Sequence, residues 1–367
     1  MYINLWYVLA ESKELDKEPL KVKALGQDFV LFRTEDGQAN CLANVCAHRG
    51  GSLGGGWAGG DAPRIVDGCI VCPYHGWRYD GSGRCRKIPT LAEGAKIPAR
   101  ARVDAYPVEE RYGLIFAFLG DLPEEERIPI LEVPEWGQDG WNVVTMVYEW
   151  QSSFDRVVEN VMDATHAEFM HPSASLAGQF QEGSSSKTEL VDSGDPWGNA
   201  FLIRSDSLNL LQGYHGPMQV WAEMHFDMPT SSGDTEPGDF RFRSYVTPID
   251  KFSTKRYMLQ GRNIALGDGA DEEIHKTNLQ FAWEDRVVIE EIRPITPSSF
   301  TSTDLLLPEE EIMLQYRKSL QDWDRKGWRI DSEQVVRDRA ELVYAIPCPA
   351  RRSEKAWVLP PVPTLQY

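Results

Sequence analysis

Two short clusters, Cys46-Ala-His48 and Cys72-Pro-Tyr-His75, constrain this chain more than any other feature. Two thiols and two imidazoles in a C-x-H … C-x-x-H arrangement form the donor set of a metal site. Such a site ties two separate loops together and so dictates the fold around them. Zinc fingers place both Cys before both His, with a helix between. Here each half supplies one Cys and one His from a loop of β type. That alternation suits a two-iron cluster, in which each loop gives its Cys to one iron and its His to the other. Two imidazoles in place of thiolates raise the reduction potential well above that of an all-thiolate ferredoxin. A structural zinc site is the competing reading.

The remaining cysteines fit a metal site better than a disulfide framework. Of six (Cys41, Cys46, Cys69, Cys72, Cys85, Cys348), five fall between positions 41 and 85. The apolar start, MYINLWYVLAESKEL, has no basic leader region and reads as a strand, so a reducing cytoplasm is the expected compartment. Cys69, Cys41, Cys85 and Cys348 read as small buried hydrophobes, although Cys69 forms C-x-x-C with Cys72. No apolar run approaches the ~18 residues of a membrane span, so no membrane association is expected.

Charge divides the chain. Its 38 Lys+Arg and 56 Asp+Glu give a net −18, but residues 1–120 hold 15 and 14, and residues 121–367 hold 23 and 42. So acidic a second part argues against nucleic acid as a partner. Residues 1–120 read as short strands such as DFVLFRT (28–34) and LIFAFLG (114–120), with turns at EDGQ and DGSG and a glycine-dense loop at 50–60. The Pro-rich, acidic 121–136 reads as a linker. Residues 137–367 read as a second domain: an antiparallel sheet from runs such as WNVVTMVYEW and FRFRSYVTPI, helices at about 152–170, 271–293 and 308–327, and an extended tail. The fold class is therefore α+β.

CAHRG and CPYHGWRYDGSG resemble the two cluster-binding loops of the Rieske [2Fe-2S] domain. The resemblance implies that Cys46 and Cys72 bind one iron and His48 and His75 the other. The 23 residues between His48 and Cys72 exceed the family's usual connection, and the glycine-rich stretch accommodates them.

A second constellation lies in ENVMDATHAEFMHPSA (159–174), which holds two of the seven histidines, His166 and His171. A spacing of five turns them about 140° apart on one helix. Either His171 lies past the helix end, near Pro172, or a bulge re-aims it. Asp163, three residues before His166, can hydrogen-bond its free ring nitrogen. A facial triad needs an anionic third ligand. In LQFAWEDRVVIEEIRP (279–294), a helical reading puts Phe281, Ala282, Asp285, Val288, Ile289 and Ile292 on one face. Asp285 is its only polar member, while Glu284 falls on a row with Thr277, Gln280 and Glu291. A carboxylate alone on an apolar face needs a cation, a metal or else a buried Arg, and periodicity selects Asp285.

Together the two constellations make the chain similar to the oxygenase component of the Rieske non-haem iron oxygenases, at the smaller, homotrimeric monooxygenase and demethylase end. NVMDATHAEFMH looks like that family's mononuclear-iron motif. The resemblance implies Fe(II) on His166, His171 and Asp285, and Asp163 as a carboxylate bridging to His75 of a neighbouring copy in a ring of three. It implies a helix-flanked antiparallel-sheet catalytic domain. It also implies O2-dependent hydroxylation or oxidative demethylation of a small, aromatic molecule, with electrons from NAD(P)H through a separate reductase or ferredoxin. The chain shows no GxGxxG set between a strand and a helix, as a nucleotide fingerprint requires: Gly54, Gly56 and Gly59 have that spacing but lie in the glycine-dense loop. Aromatic-ring cis-dihydroxylation is the alternative reaction, and an electron carrier without oxygen chemistry the alternative class. Two further expectations concern surfaces. Arg78, Arg84, Arg86, Lys87, Lys96, Arg100 and Arg102 could form a basic rim that steers an acidic donor. Region 200–260 is expected to line the substrate pocket, with His215, Trp221, His225, Arg241 and Arg243 as candidates.

Overall fold

Short β-branched and aromatic runs, broken by glycine turns, pair into antiparallel sheets in the first of two units. The computed structural model describes residues 1–60, 62, 64–171, 187–204, 209–229, 235–297, 304–307 and 310–366. The chain divides into Met1–Pro129 with Gly327–Tyr367, and Ile130–Lys326.

In the first unit, β1 (Leu5–Glu11), β10 (Val108–Arg111) and β11 (Leu114–Leu119) make a sheet in the order β1-β11-β10. A second sheet runs β2 (Leu20–Ala24), β3 (Gln27–Arg33), β4 (Ala39–Ala43) and β9 (Ala105–Tyr106). A third, of four very short strands, runs β5 (Ile65–Val66), β6 (Cys69–Val71), β7 (Arg78–Tyr79) and β8 (Cys85–Lys87). Val30, Phe32, Leu42, Ile70 and Tyr79 pack into one core with Cys46, Cys72 and Cys85. The cluster loops are thus anchored by burial of their own thiols.

The tail belongs to this unit. The sequence places it with the second domain, but residues 327–367 return to the first through long-range polar contacts. Ile3 N donates to Trp328 O at 3.0 Å, and Tyr106 Oη to Ile346 O at 2.8 Å. Arg351 grips the buried Asp104 bidentately at 2.6 and 2.7 Å. The division at Pro129/Ile130 falls inside the Pro-rich stretch expected as a linker.

The second unit is a seven-stranded antiparallel sheet in the order β12-β18-β17-β16-β15-β14-β13. Its strands are β12 (Asn142–Trp150), β13 (Lys187–Val191), β14 (Ala200–Arg204), β15 (Asn209–His215), β16 (Gln219–Pro229), β17 (Thr235–Pro248) and β18 (Thr254–Arg262). Helices α1 (Phe154–Met162), α2 (His166–Met170), α3 (Ala270–Ile289) and α4 (Glu311–Arg325) flank it. The α1 helix buries Phe154, Val157, Val158 and Met162 at helical spacing. It stops at Asp163, whose ψ of 110° is extended. The α3 helix has acidic residues in its first turn and Arg286 in its last, as the helix dipole favours. It buries Asn278, Ala282, Asp285 and Ile289, at intervals of four, three and four. The apolar face expected from sequence is narrower than drawn: Val288 is exposed and Ile292 lies beyond the helix. Mixed α+β architecture is what the sequence leads one to expect.

Candidate metal centres

The two Cys–His loops of the first unit share one backbone plan. Cys46 N donates to Gly51 O at 2.8 Å, and Gly50 N to Cys46 O at 3.0 Å. Cys72 N donates to Trp77 O at 2.8 Å, and Gly76 N to Cys72 O at 3.0 Å. Both reversals turn on a glycine four residues after the Cys, with φ of +72° at Gly50 and +69° at Gly76. The difference between C-x-H and C-x-x-H is absorbed within matching turns. Gly51 lets the backbone come close, since a Cβ there would stand 3.2 Å from Cys72 Sγ.

The thiols are buried and the imidazoles lie outward. Cys46 and Cys72 hydrogen-bond to each other, which lowers the Cys72 thiol and, together with burial, raises that of Cys46, so the pair gives up its first proton readily and its second with difficulty. Tyr79 Oη lies 3.1 Å from Cys46 Sγ and can donate to it as a thiolate. His48 stacks on Trp77 with centroids 4.5 Å apart and meets His75 edge-on at 4.5 Å. Burial, then the neighbouring His48 and Arg49, hold His75 below its ordinary value, in the neutral form a metal needs. Two thiols and two imidazoles carried by paired loops fit a [2Fe-2S] cluster. Cys41, Cys69, Cys85 and Cys348 are free and buried, as expected of small hydrophobes.

Much of the expected basic rim is neutralised. Arg78 pairs with Asp67, Arg86 with Asp80, and Arg84 and Arg102 both with Glu354. Lys87, Lys96 and Arg100 remain exposed.

In the second unit, His166, His171 and Asp285 each aim one ligand atom at a common point, with the three atoms within 4.8 Å of one another. Asp285 Oδ1 lies 3.4 Å from His166 Nε2 and 3.3 Å from His171 Nε2. The helix break at Asp163 makes this possible. His166 opens α2, and His171 caps its end with φ −117° and ψ 68°. The spacing of five is thus resolved by ending the helix. Pro172 lies outside the described residues.

Asp163 and His166 flank the helix break, Asp163 at the end of α1 and His166 at the start of α2. Asp163 Oδ2 still reaches within 3.7 Å of His166 Nδ1. Thr165 orients that carboxylate, donating N–H at 2.8 Å and Oγ1 at 2.7 Å to Oδ1. Glu284 carries a role that sequence reasoning missed: its Oε2 lies 2.8 Å from His171 Nδ1, and Gln280 holds its Oε1 at 2.8 Å. Glu284 thus fixes the orientation of the His171 ring and raises its ligand basicity, while Asp163 stands behind His166 beyond direct hydrogen-bond reach.

Charge in this cluster calls for a cation. Burial alone would push His166 down, but Asp163 and Asp285 outweigh it and lift the imidazole to about 9. His171 is raised in the same way, by Asp285 and Glu284 against burial. Burial opposes ionisation of Asp285, yet the two histidines hold it well below the carboxylate range. Protons occupy this centre only until a divalent cation displaces them. The donor set suits non-haem Fe(II).

A cavity of about 190 Å³ opens onto the triad between the sheet and helices α1–α3. Strand alternation selects its lining: Tyr148 of β12, Leu210 and Gln212 of β15, Ala222 and Met224 of β16, Phe242 of β17, Arg256 and Met258 of β18. Trp221, Arg241 and Arg243 have the opposite parity and face away, Arg243 onto Glu223 at 2.7 Å. His215 and His225 pair with Asp195 and Asp239. None of those five candidates lines the cavity.

Comparison with known proteins agrees with this geometry. A family model for the Rieske [2Fe-2S] domain matches residues 5–107. One for the vanillate O-demethylase oxygenase C-terminal domain matches 150–326. A putative toluene-4-sulfonate monooxygenase system iron-sulfur subunit from Comamonas testosteroni is 28% identical over 315 residues, 78% of this chain and 86% of the relative. The fold is like that of NdmB from Pseudomonas putida CBB5, with TM-score 0.71, 22% identity, and coverage of 87% of this chain and 91% of that one. It is also like dicamba monooxygenase bound to 3,6-dichlorosalicylic acid, with TM-score 0.69, 22% identity, and coverage of 87% and 96%. Two matched domains in this order, one for each metal centre, make the chain a member of the Rieske oxygenases: an oxygenase component whose cofactors are a [2Fe-2S] cluster and a mononuclear iron.

Proposed function

We propose that this enzyme hydroxylates or oxidatively demethylates a small aromatic substrate at a mononuclear Fe(II) held by His166, His171 and Asp285, with Cys46, His48, Cys72 and His75 holding the electron-storing cluster. The observation that carries this reading is the convergence of the triad on a cavity lined mostly by apolar side chains. When bound, the metal centres supply one-electron storage and O2 reduction, in which one oxygen atom enters a substrate C–H bond and the other leaves as water with two electrons and two protons.

The chain's own residues do the rest. Phe242, Phe281, Met224 and Leu210 exclude water and favour a ring. Asn160 Nδ2 approaches Asp285 Oδ1 at 3.4 Å and restrains its free rotation. His48 and Trp77, stacked at the exposed edge of the cluster loops, offer the face at which a separate reductase or ferredoxin delivers electrons from NAD(P)H. A ring of three is the assembly in which Asp163 links His166 to His75 of the neighbouring copy. The exposed stripe Leu279, Trp283 and Val287 on α3 supports a covered assembly, Trp283 being 60% exposed. No helix among the described residues is long and apolar enough to cross a membrane, and the free buried thiols suit the cytoplasm.

The test is a single turnover of chemically reduced, iron-loaded protein under 18O2 with 4-methoxybenzoate, benzoate or toluene-4-sulfonate. One labelled oxygen supports monooxygenation, found in the hydroxylated ring or methyl group or, from the methoxy substrate, in the formaldehyde released with unlabelled phenol. Two would favour cis-dihydroxylation instead, and cluster oxidation without any product from a substrate that binds would sink both.

A further inference from the structure

The cavity contains a charged group that the iron chemistry does not use. Among the described residues five arginines are buried: Arg102, Arg243, Arg256, Arg262 and Arg317. Four have a carboxylate. Arg102 reaches Glu354 at 2.6 Å, Arg243 reaches Glu223 at 2.7 Å, Arg317 reaches Glu159 at 2.6 Å, and Arg262 pairs with Asp271. Arg256 is the exception. Its Nε donates to Ser244 Oγ at 3.0 Å and its Nη2 to Met258 Sδ at 3.0 Å. Its guanidinium carbon lies 5.9 Å from the centre of the Tyr148 ring. All three partners are neutral. A guanidinium has five N–H donors, so these contacts orient the fork without saturating or neutralising it.

Arg256 is only 9% exposed and lines the cavity that His166, His171 and Asp285 also line. A buried cation without a counter-charge is unfavourable unless something supplies one. Among the described residues, Asp163 and Asp285 are the carboxylates of the lining; Asp285 lies near enough to favour the charge of Arg256, but it faces the two histidines and would be taken up by a bound divalent metal. Glu284 stands behind His171 and outside the lining. The remaining wall is mostly apolar. Its complement is a flat apolar body with one anionic end.

We propose that Arg256 is the anchor for an anionic substituent, so that the substrate of this oxygenase is a small aromatic acid. This rests on the oxygenase reading of the site and narrows its substrate class. A carboxylate or sulfonate takes the open edge of the guanidinium fork, where planar two-point contact is favoured. Ser244 and Met258 hold the fork still on β18, and the fixed distance from Arg256 to the triad selects which substrate atom is oxidised. Lining volume near 190 Å³ is below the usual range for drug-sized ligands and suits a single ring.

The test is calorimetric binding of benzoate, benzenesulfonate and their neutral analogue benzamide to the iron-loaded holoprotein, in wild type, Arg256→Gln and Arg256→Lys. In the wild type at least one anion should bind about tenfold or more tightly than benzamide. Arg256→Gln should abolish that preference while leaving the benzamide constant, the iron content and the cluster spectrum unchanged. Arg256→Lys should restore part of it, and whether benzoate or benzenesulfonate is preferred identifies the anion. Absence of anion preference or of any anion binding in the wild type overturns the proposal, whatever the variants do. So does equal weakening of acid and amide in Arg256→Gln, which would make Arg256 a structural residue. These constants need no turnover. Anion preference in a protein that oxidises nothing keeps the anchor and loses the oxygenase reading. Oxidation of neutral aromatics without anion preference does the reverse.

Discussion

Glu284 and Asp285 are adjacent on α3, yet they do different work: Asp285 faces both histidines and Glu284 supports one from behind. Helical periodicity separated them in the sequence by finding Asp285 alone on the apolar face. It could not reveal the role of Glu284, because a carboxylate on a polar row looks solvated until His171 arrives from another element. Glu284→Gln is expected to keep the fold and lower Fe(II) affinity about 10–100-fold, as read by metal titration; unchanged affinity would remove Glu284 from the site. The linkage of His166 gives a second prediction. Its folded value, about 9, exceeds the unfolded value of ~6.5. In metal-free protein its contribution, at most about 3 kcal/mol, is fully present below pH ~6.5 and lost as pH rises through 9. Thermal midpoints of the metal-free enzyme should fall across that window, and iron affinity should rise across it as the protons leave. A flat profile for both would contradict the assigned charge state.

At the scale of elements, loops and strands differ in what they disclose. The cluster loops were legible because two Cys–His pairs and two glycines lie within two short segments. Gly76→Ala would force a side chain into φ +69° with its Cβ 3.1 Å from Pro89 Cγ. It should cost about 1–2 kcal/mol and lower the melting temperature of the cluster-loaded protein; an unchanged melting temperature would mean the turn is not held as described. The cavity wall was less legible. Charged and aromatic residues of 200–260 drew attention by type, but strand parity decides which of them face inward. Trp221 and Arg243 point away, while Ala222, Phe242 and Arg256 point in. A consistent two-residue count along each strand, anchored on one known inward residue, was the signal that could have found Arg256.

At the scale of the whole molecule, the return of 327–367 to the first unit was invisible in sequence, since it rests on pairs such as Asp104 with Arg351 that are far apart in the chain. The two metal centres were legible separately, and their cooperation is what a ring of three would supply. Asp163→Asn should retain both centres and lose about 100-fold or more in turnover, a loss of over ~2.7 kcal/mol in transition-state stabilisation. Co-assembly of a cluster-deficient Cys46→Ser chain with an iron-deficient Asp285→Ala chain should restore part of the activity that each lacks alone. Failure of the mixed assembly, with both chains present in it, would place electron transfer within one chain.

The most direct measurement is iron and acid-labile sulfide on anaerobically purified protein, with an EPR spectrum after reduction, for wild type and Asp285→Ala. The wild type should hold about three irons and two sulfides per chain with a Rieske-type signal, and Asp285→Ala about two irons with that signal intact. Equal iron in both, or a wild type that holds only two irons even after Fe(II) is added, would contradict a catalytic iron at His166, His171 and Asp285.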